Sequence, residues 1–227
     1  MPKVFTIETI EKFPLSLAPL ALADESKVNA QDAYTAVLLY PGIYSCYEFQ
    51  RAMVERVGGK CLNAASAYDP GGLGDLGAIN LDVQTFEKHT GKDFSKMCKN
   101  FVHGTVFDIP FQEEHFDCVV LGEFLEHATP EKAVAAMMEC RRVLKPGGFL
   151  VLTFPLDGRS REEQLDGQEN PPWEYCDGIT VHHSRWWGNA EIRDLKIKTR
   201  FVEVGRAALV YILTAPLGGW GLLLQKP

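Results

Sequence analysis

The sequence predicts an α/β protein, with a mostly parallel sheet, helices on both faces and a nucleotide-binding unit in the middle third of the chain. Three observations carry this. Short apolar runs of strand length recur between Lys60 and Phe154, and a strongly patterned helix separates two of them. Acidic residues stand directly behind strand-like runs, at Asp82 and Asp108. Strand, helix, tight turn and strand is the signature of a β-α-β unit, and such sheets bind ligands outside the carboxyl ends of their strands.

Composition sets the frame. A chain of 227 residues that is 46% apolar and 23% charged can bury a sizeable core and is neither disordered nor fibrous. The net charge of −7 disfavours nucleic acid as a partner. A basic stretch through Arg193, Lys196, Lys198 and Arg200 is interleaved with Glu191 and Asp194, which reads as a solvated face. Six cysteines are scattered without a C-x-x-C pair, so zinc spacing and a secreted disulfide scaffold are both absent. No apolar run reaches the length of a membrane span, and Glu8, Glu11, Lys12 and Pro14 interrupt any signal-like core. A cytoplasmic location is the expectation.

The elements follow in order. Residues 1–58 read as an N-terminal arm and helix, a lid or packing element, and 59–227 as the α/β core. Cys46, Phe49, Met53 and Val57 form one helical stripe that stops at Gly58-Gly59. Strand-like runs come next at Lys60–Ala65, Ala78–Val83, Asn100–Val102, Asp117–Leu121 and Phe149–Phe154, with a tail pair near Arg200–Val204 and Gly221–Leu224. Thr129 caps the clearest helix, Pro130 suits its first position, and Ala133, Met137, Cys140 and Leu144 make its apolar stripe. Lys145-Pro146-Gly147-Gly148 predicts an abrupt turn after it.

Asp82 closes a strand, where a carboxylate can accept both hydroxyls of a ribose. Asp108 precedes Ile109-Pro110-Phe111, where a carboxylate can accept from an adenine amine between apolar groups. Each is weak alone, since turn and cap aspartates look the same. Together with their surroundings they say more. His103-Gly104…Asp108-Ile109-Pro110-Phe111, Phe116-Asp117-Cys118-Val119-Val120, Leu125-Glu126-His127 and Glu139 through Gly148 stand in an order and spacing that resemble the class I S-adenosylmethionine (SAM)-dependent methyltransferases of the small-molecule type. The resemblance covers about a quarter of the chain. It implies a Rossmann-like, seven-stranded, mostly parallel sheet with SAM as cofactor. It also implies that Asp82 holds the ribose, Asp108 the adenine amine and Ile109 the ring, while Gly122 and Glu123 line the methionine end. Glu126 and His127 fall at the family's strand-to-helix corner.

One motif departs from the family. Its first strand runs into an acidic-x-glycine-x-glycine loop, where the backbone passes close to the cofactor. Here Asn63 takes the acidic place, and Ala65 and Ala67 replace the glycines. The segment from Ser66 to Ala78 is too short and glycine-rich for a full helix, so the first crossover helix is predicted to be short or absent. Asn63 and Ala65 complete the candidate cofactor residues. Beyond Pro155, residues 156–190 read as a lid or substrate region. Trp173, Tyr175, Trp186 and Trp187 could stack an acceptor or anchor the insertion, His127 could line the acceptor site, and His182 or His183 could act as base. The expected function is methyl transfer from SAM to a small-molecule acceptor. A methyltransferase-fold protein that has lost SAM use is the alternative that Ala65 and Ala67 raise.

Overall fold

The computed structural model describes residues 45–87, 92–155, 174–176, 179–180, 187–210 and 218–227. Helix α1 (Cys46–Val57) opens on a capping box: the Glu48 amide donates to Ser45 Oγ, and the Ser45 amide donates to the Glu48 carboxylate. Strand β1 (Cys61–Ala64) follows, then a single 3₁₀ turn (Leu73–Leu76) and β2 (Ile79–Asp82). The crossover helix expected to be short or absent is thus one turn. Strands β3 (Phe86–Glu87) and β4 (Lys92–Asp93) pair beside α2 (Phe94–Met97), and β5 (Phe101–His103) comes next.

The second half repeats the pattern at greater length. Strand β6 (Phe116–Gly122) leads through a 3₁₀ turn (Leu125–His127) to α3 (Pro130–Val143) and β7 (Leu144–Pro155). A small ladder of β8 (Glu174–Cys176) and β9 (Ile179–Thr180) precedes α4 (Asn189–Thr199), β10 (Val202–Val210) and β11 (Gly218–Gln225). The Lys145–Gly148 turn is absorbed into β7. Leu144 already pairs with Phe116, and Gly147 and Gly148 exchange backbone hydrogen bonds with Lys226.

The seven-stranded sheet has the order β10-β11-β7-β6-β1-β2-β5. Strands β5, β2, β1, β6 and β7 are parallel neighbours, and β11 runs antiparallel between β7 and β10. Side-chain alternation divides the core into two layers. On one face Leu62, Val119, Leu121, Leu150, Leu152 and Leu224 meet α3 and α4. On the other, Cys61, Cys118, Val120, Val151 and Leu223 meet α1. Sequence periodicity did not reveal α4, because its buried side is only Ile192, Leu195 and Thr199. Buried Glu203 ties that helix to β10 by accepting from Lys196 and Arg206.

Packing under α1 is tight enough to dictate a glycine. A Cβ on Gly221 of β11 would lie 2.5 Å from Phe49 Cδ1, and the Phe49 ring is fully buried with nowhere to move. Gly221→Ala is expected to destabilise the fold by about 1–3 kcal/mol. Urea unfolding checks this as a lowered midpoint with an unchanged slope.

Candidate functional site

The site is assembled where three parallel strands end side by side. Ala64 pairs with Leu81 on β2 and with Leu121 on β6. The next residues, Ala65, Asp82 and Gly122, therefore leave the sheet together at its carboxyl edge. The chain departs from β1 toward β2 and β5, then returns to β6 on β1's other side. This reversal of strand order is the place where open α/β sheets bind ligands.

The loop after β1 keeps the backbone path of a glycine loop without the glycines. Ala65 has φ 54°, Ala67 φ 47° and Asp69 φ 55°, all in the left-handed region that costs a residue with a Cβ about 1–2 kcal/mol. Such strain persists only where contacts over-determine it. The Ser66 amide donates to the Leu81 carbonyl at 3.0 Å, and the Ala67 amide donates to Asp82 Oδ2 at 2.7 Å. The Cys98 thiol donates to the Ala67 carbonyl.

Asp82 holds the loop and remains available to a ligand. Its Oδ1 accepts from the Gln84 amide at 2.8 Å, so backbone donors orient both carboxylate oxygens and leave acceptor capacity for a hydroxyl. Burial raises its pKa, against the pull of the amides of Gln84, Ala67 and Val83. Asp108 lies exposed in the turn after β5, its amide donating to the Thr105 carbonyl. Ile109 points the other way, buried in the core, while its amide donates to the Glu139 carboxylate. The Asp82 and Asp108 carboxylates are acceptors of the kind that a ribose hydroxyl pair and an adenine amine require, so the residues present fit a nucleoside-bearing cofactor.

The β6 corner is held from beneath. Gly122 makes room for Gln50, because a Cβ there would fall 2.1 Å from Gln50 Nε2 and displace the amide. Gln50 is buried on α1 and donates to Thr153 Oγ1 at 2.8 Å. The next residue, Glu123, is left-handed at φ 51°, and its amide donates to the Thr153 carbonyl. Glu126 is buried in the following turn, and burial together with the neighbouring Glu123 charge raises its pKa well above the usual carboxylate range. Across the mouth, burial first and the Glu123 charge second push the Cys46 thiol to about 12, while burial first and the neighbouring Cys46 second push the Tyr47 phenol upward. Sequence reasoning missed Gln50, Thr153 and Tyr47. A polar residue on the apolar side of α1 was the available signal at Gln50.

The other predicted residues distribute differently. Asn63 lies buried at the end of β1, its amide directed to Asn80 and Asp69 rather than to the mouth. His127 is half-buried in the turn before α3. Trp187 is an anchor: its indole is buried against α3 and α4, and Nε1 donates to the Leu125 carbonyl at 2.7 Å. One edge of it borders a cleft of about 230 Å³ between those helices. Trp173, His182, His183 and Trp186 lie outside the described residues, as does the side chain of Tyr175. Among the described residues no cluster of histidine, cysteine or acidic groups could hold a metal, and no helix is long and apolar enough to cross a membrane.

With that geometry in view, residues 63–152 match the family model described as a methyltransferase domain. Over those residues the chain is similar to the class I SAM-dependent methyltransferases, whose fold its seven-stranded sheet shares. Among solved structures, a SAM-dependent methyltransferase from Methanosarcina mazei is 15% identical, covers 77% of this chain and 96% of its own, and superposes with a TM-score of 0.58. The 1,6-didemethyltoxoflavin-N1-methyltransferase of Burkholderia thailandensis, solved with its substrate and S-adenosylhomocysteine, is 16% identical with a TM-score of 0.56, covering 80% of this chain and 78% of that one. A demethylmenaquinone methyltransferase of Staphylococcus aureus (strain MRSA252) is 35% identical over 81 residues, or 36% of this chain and 33% of its own length. The chain thus spans about a third of the curated relatives it matches.

Two outcomes are expected at the site. Replacing Ala67 by glycine removes the left-handed penalty at the expense of chain entropy, for a net gain of about 0.5–1 kcal/mol, whereas Ala67→Val is destabilising. Denaturant titration of both variants checks the opposite signs. Glu126, with its pKa raised on folding, contributes full stability below its unfolded pKa, and that contribution is lost as pH rises toward the folded value. Glu126→Gln should flatten this fall, so unfolding free energies of variant and parent diverge progressively above pH 4.5.

Proposed function

We propose that this protein binds SAM at the carboxyl edge of β1, β2 and β6 and transfers its methyl group to a small-molecule acceptor. The observation that carries the reading is the loop from Ala65 to Asp69, which holds a left-handed glycine-loop path although its residues are not glycine. Maintaining that path against several kcal/mol of backbone strain has a purpose if a ligand must approach the loop closely. The same observation weighs against a fold relative that has abandoned the cofactor, since a relaxed loop would serve there.

When bound, SAM supplies a methyl group already activated by its sulfonium. The chain's own residues then bind, orient and exclude water. Asp82 accepts the ribose hydroxyls on its free lone pairs while its amide partners keep the carboxylate from turning. Asp108 accepts from the adenine amine at the exposed turn. The Gly122–Glu123 corner, fixed by Gln50 and Thr153, faces the methionine end, where the negative charge of Glu123 attracts a cationic amine. Acceptor selection is assigned to residues 156–190, which the sequence reads as a lid or substrate region. The Staphylococcus relatives are demethylmenaquinone methyltransferases, but the match spans only 33% of their length, so it supports methyl transfer more than a particular acceptor.

Calorimetric titration with S-adenosylhomocysteine tests the proposal. Binding in the micromolar range is expected, with Asp82→Ala weakening it at least about tenfold through loss of two charge-assisted hydrogen bonds. A folded protein that takes up no S-adenosylhomocysteine at millimolar concentration would sink it.

A further inference from the structure

The loop after β1 sits where a first crossover helix would otherwise support it, and only the 3₁₀ turn at Leu73–Leu76 is present. Asp69, within the loop, supplies the support. Its Oδ1 accepts from the Leu73 amide at 2.8 Å and from Asn63 Nδ2 at 3.4 Å. Its Oδ2 accepts from the Gly74 amide at 2.8 Å and from Asn80 Nδ2 at 3.1 Å. Four donors from β1, the 3₁₀ turn and β2 therefore converge on one carboxylate.

The amides around it are fully committed. Asn63 Nδ2 also donates to Asn80 Oδ1 at 2.8 Å, and Asn80 Nδ2 also donates to the Lys99 carbonyl at 2.9 Å. Both amide groups thus have their orientation set, and position 63 must present a donor toward Asp69 and Asn80. A carboxylate at 63 would face Asp69 and the Asn80 carbonyl oxygen, all acceptors, in a buried site. Space is equally constrained: a Cβ on Gly74 would stand 2.9 Å from Asn80 Nδ2 and 3.1 Å from Asp69 Oδ2.

We propose that Asp69 is the positioning residue of the cofactor loop. It carries, from within the loop, the negative charge that the end of β1 lacks at Asn63, and it thereby sets where Ala65–Ala67 meet the methionine end of the cofactor. This rests on the SAM reading above. The identities at 63 and 69 are then linked: an amide on the strand requires a carboxylate on the loop, and either change alone breaks the pair.

A charge-exchange cycle on the full chain tests this, comparing the parent with N63D, D69N and N63D/D69N. Affinity for S-adenosylhomocysteine and the thermal unfolding midpoint are read for all four. Each single change is expected to weaken binding about tenfold or more, and the double variant to recover most of that loss, since residues in one buried network couple. Losses in the double that equal the product of the singles, or parent-like binding by N63D, would overturn the proposal. Recovery of the midpoint without recovery of affinity would also overturn it, leaving Asp69 a structural prop. Should the parent itself bind no S-adenosylhomocysteine, the cofactor reading fails separately. The cycle is then decided on midpoints alone, where recovery in the double upholds Asp69's hold on the loop and additive losses overturn it.

Discussion

The 2.7 Å hydrogen bond from the Ala67 amide to Asp82 ties the exit of β1 to the exit of β2. Nearly everything at the carboxyl edge is arranged around it. Parallel register brings the two strand ends level, and the carboxylate then holds the loop in a conformation that alanine does not favour. The aspartate is oriented by backbone donors on both oxygens, so it is a rigid acceptor with spare capacity rather than a mobile charge. Desolvation of that carboxylate is the cost, visible in its raised pKa, and the surrounding amides offset part of it.

The two faces of the sheet are built on different principles. Toward α3 and α4 the layer is almost wholly aliphatic and aromatic, and Trp187 satisfies its single donor on the Leu125 carbonyl. Toward α1 the layer turns polar at the strand ends, where Gln50, Thr153, Asn63 and Asn80 are all buried. Each has hydrogen-bonding partners, which is what makes burial tolerable. A missing crossover helix explains the difference. Without a helix to cover β1 and β2 with apolar side chains, a glycine-rich loop lies there, and its backbone amides need acceptors that only polar side chains provide.

Strain and support are matched locally. Three left-handed non-glycine residues occur within five positions, and the same five positions contain the carboxylate that gathers four donors. A fold alone does not fix an activity, because the same architecture hosts many chemistries. Here a conformation kept at a cost, with a carboxylate acceptor beside it, favours a bound nucleoside cofactor.

Much of the scaffold was legible in the chain. The stripe from Ala133 to Leu144, its Thr129-Pro130 start, and the strand-end position of Asp82 follow from local periodicity and capping, which depend on neighbours in sequence. The brevity of the first crossover was equally readable, since a dozen glycine-rich residues cannot make a helix and two turns. What periodicity could not reveal were interactions between residues far apart in the chain. Gln50 meets Thr153 across 103 positions, and Trp187 meets Leu125 across 62, turning a candidate substrate residue into a core anchor. The sequence by itself determined the α/β class and the acids of the edge. Only the tertiary structure decided that Ala65 and Ala67 still trace a glycine loop, because φ there is set by contacts from β2 and Asp69, not by the alanines themselves.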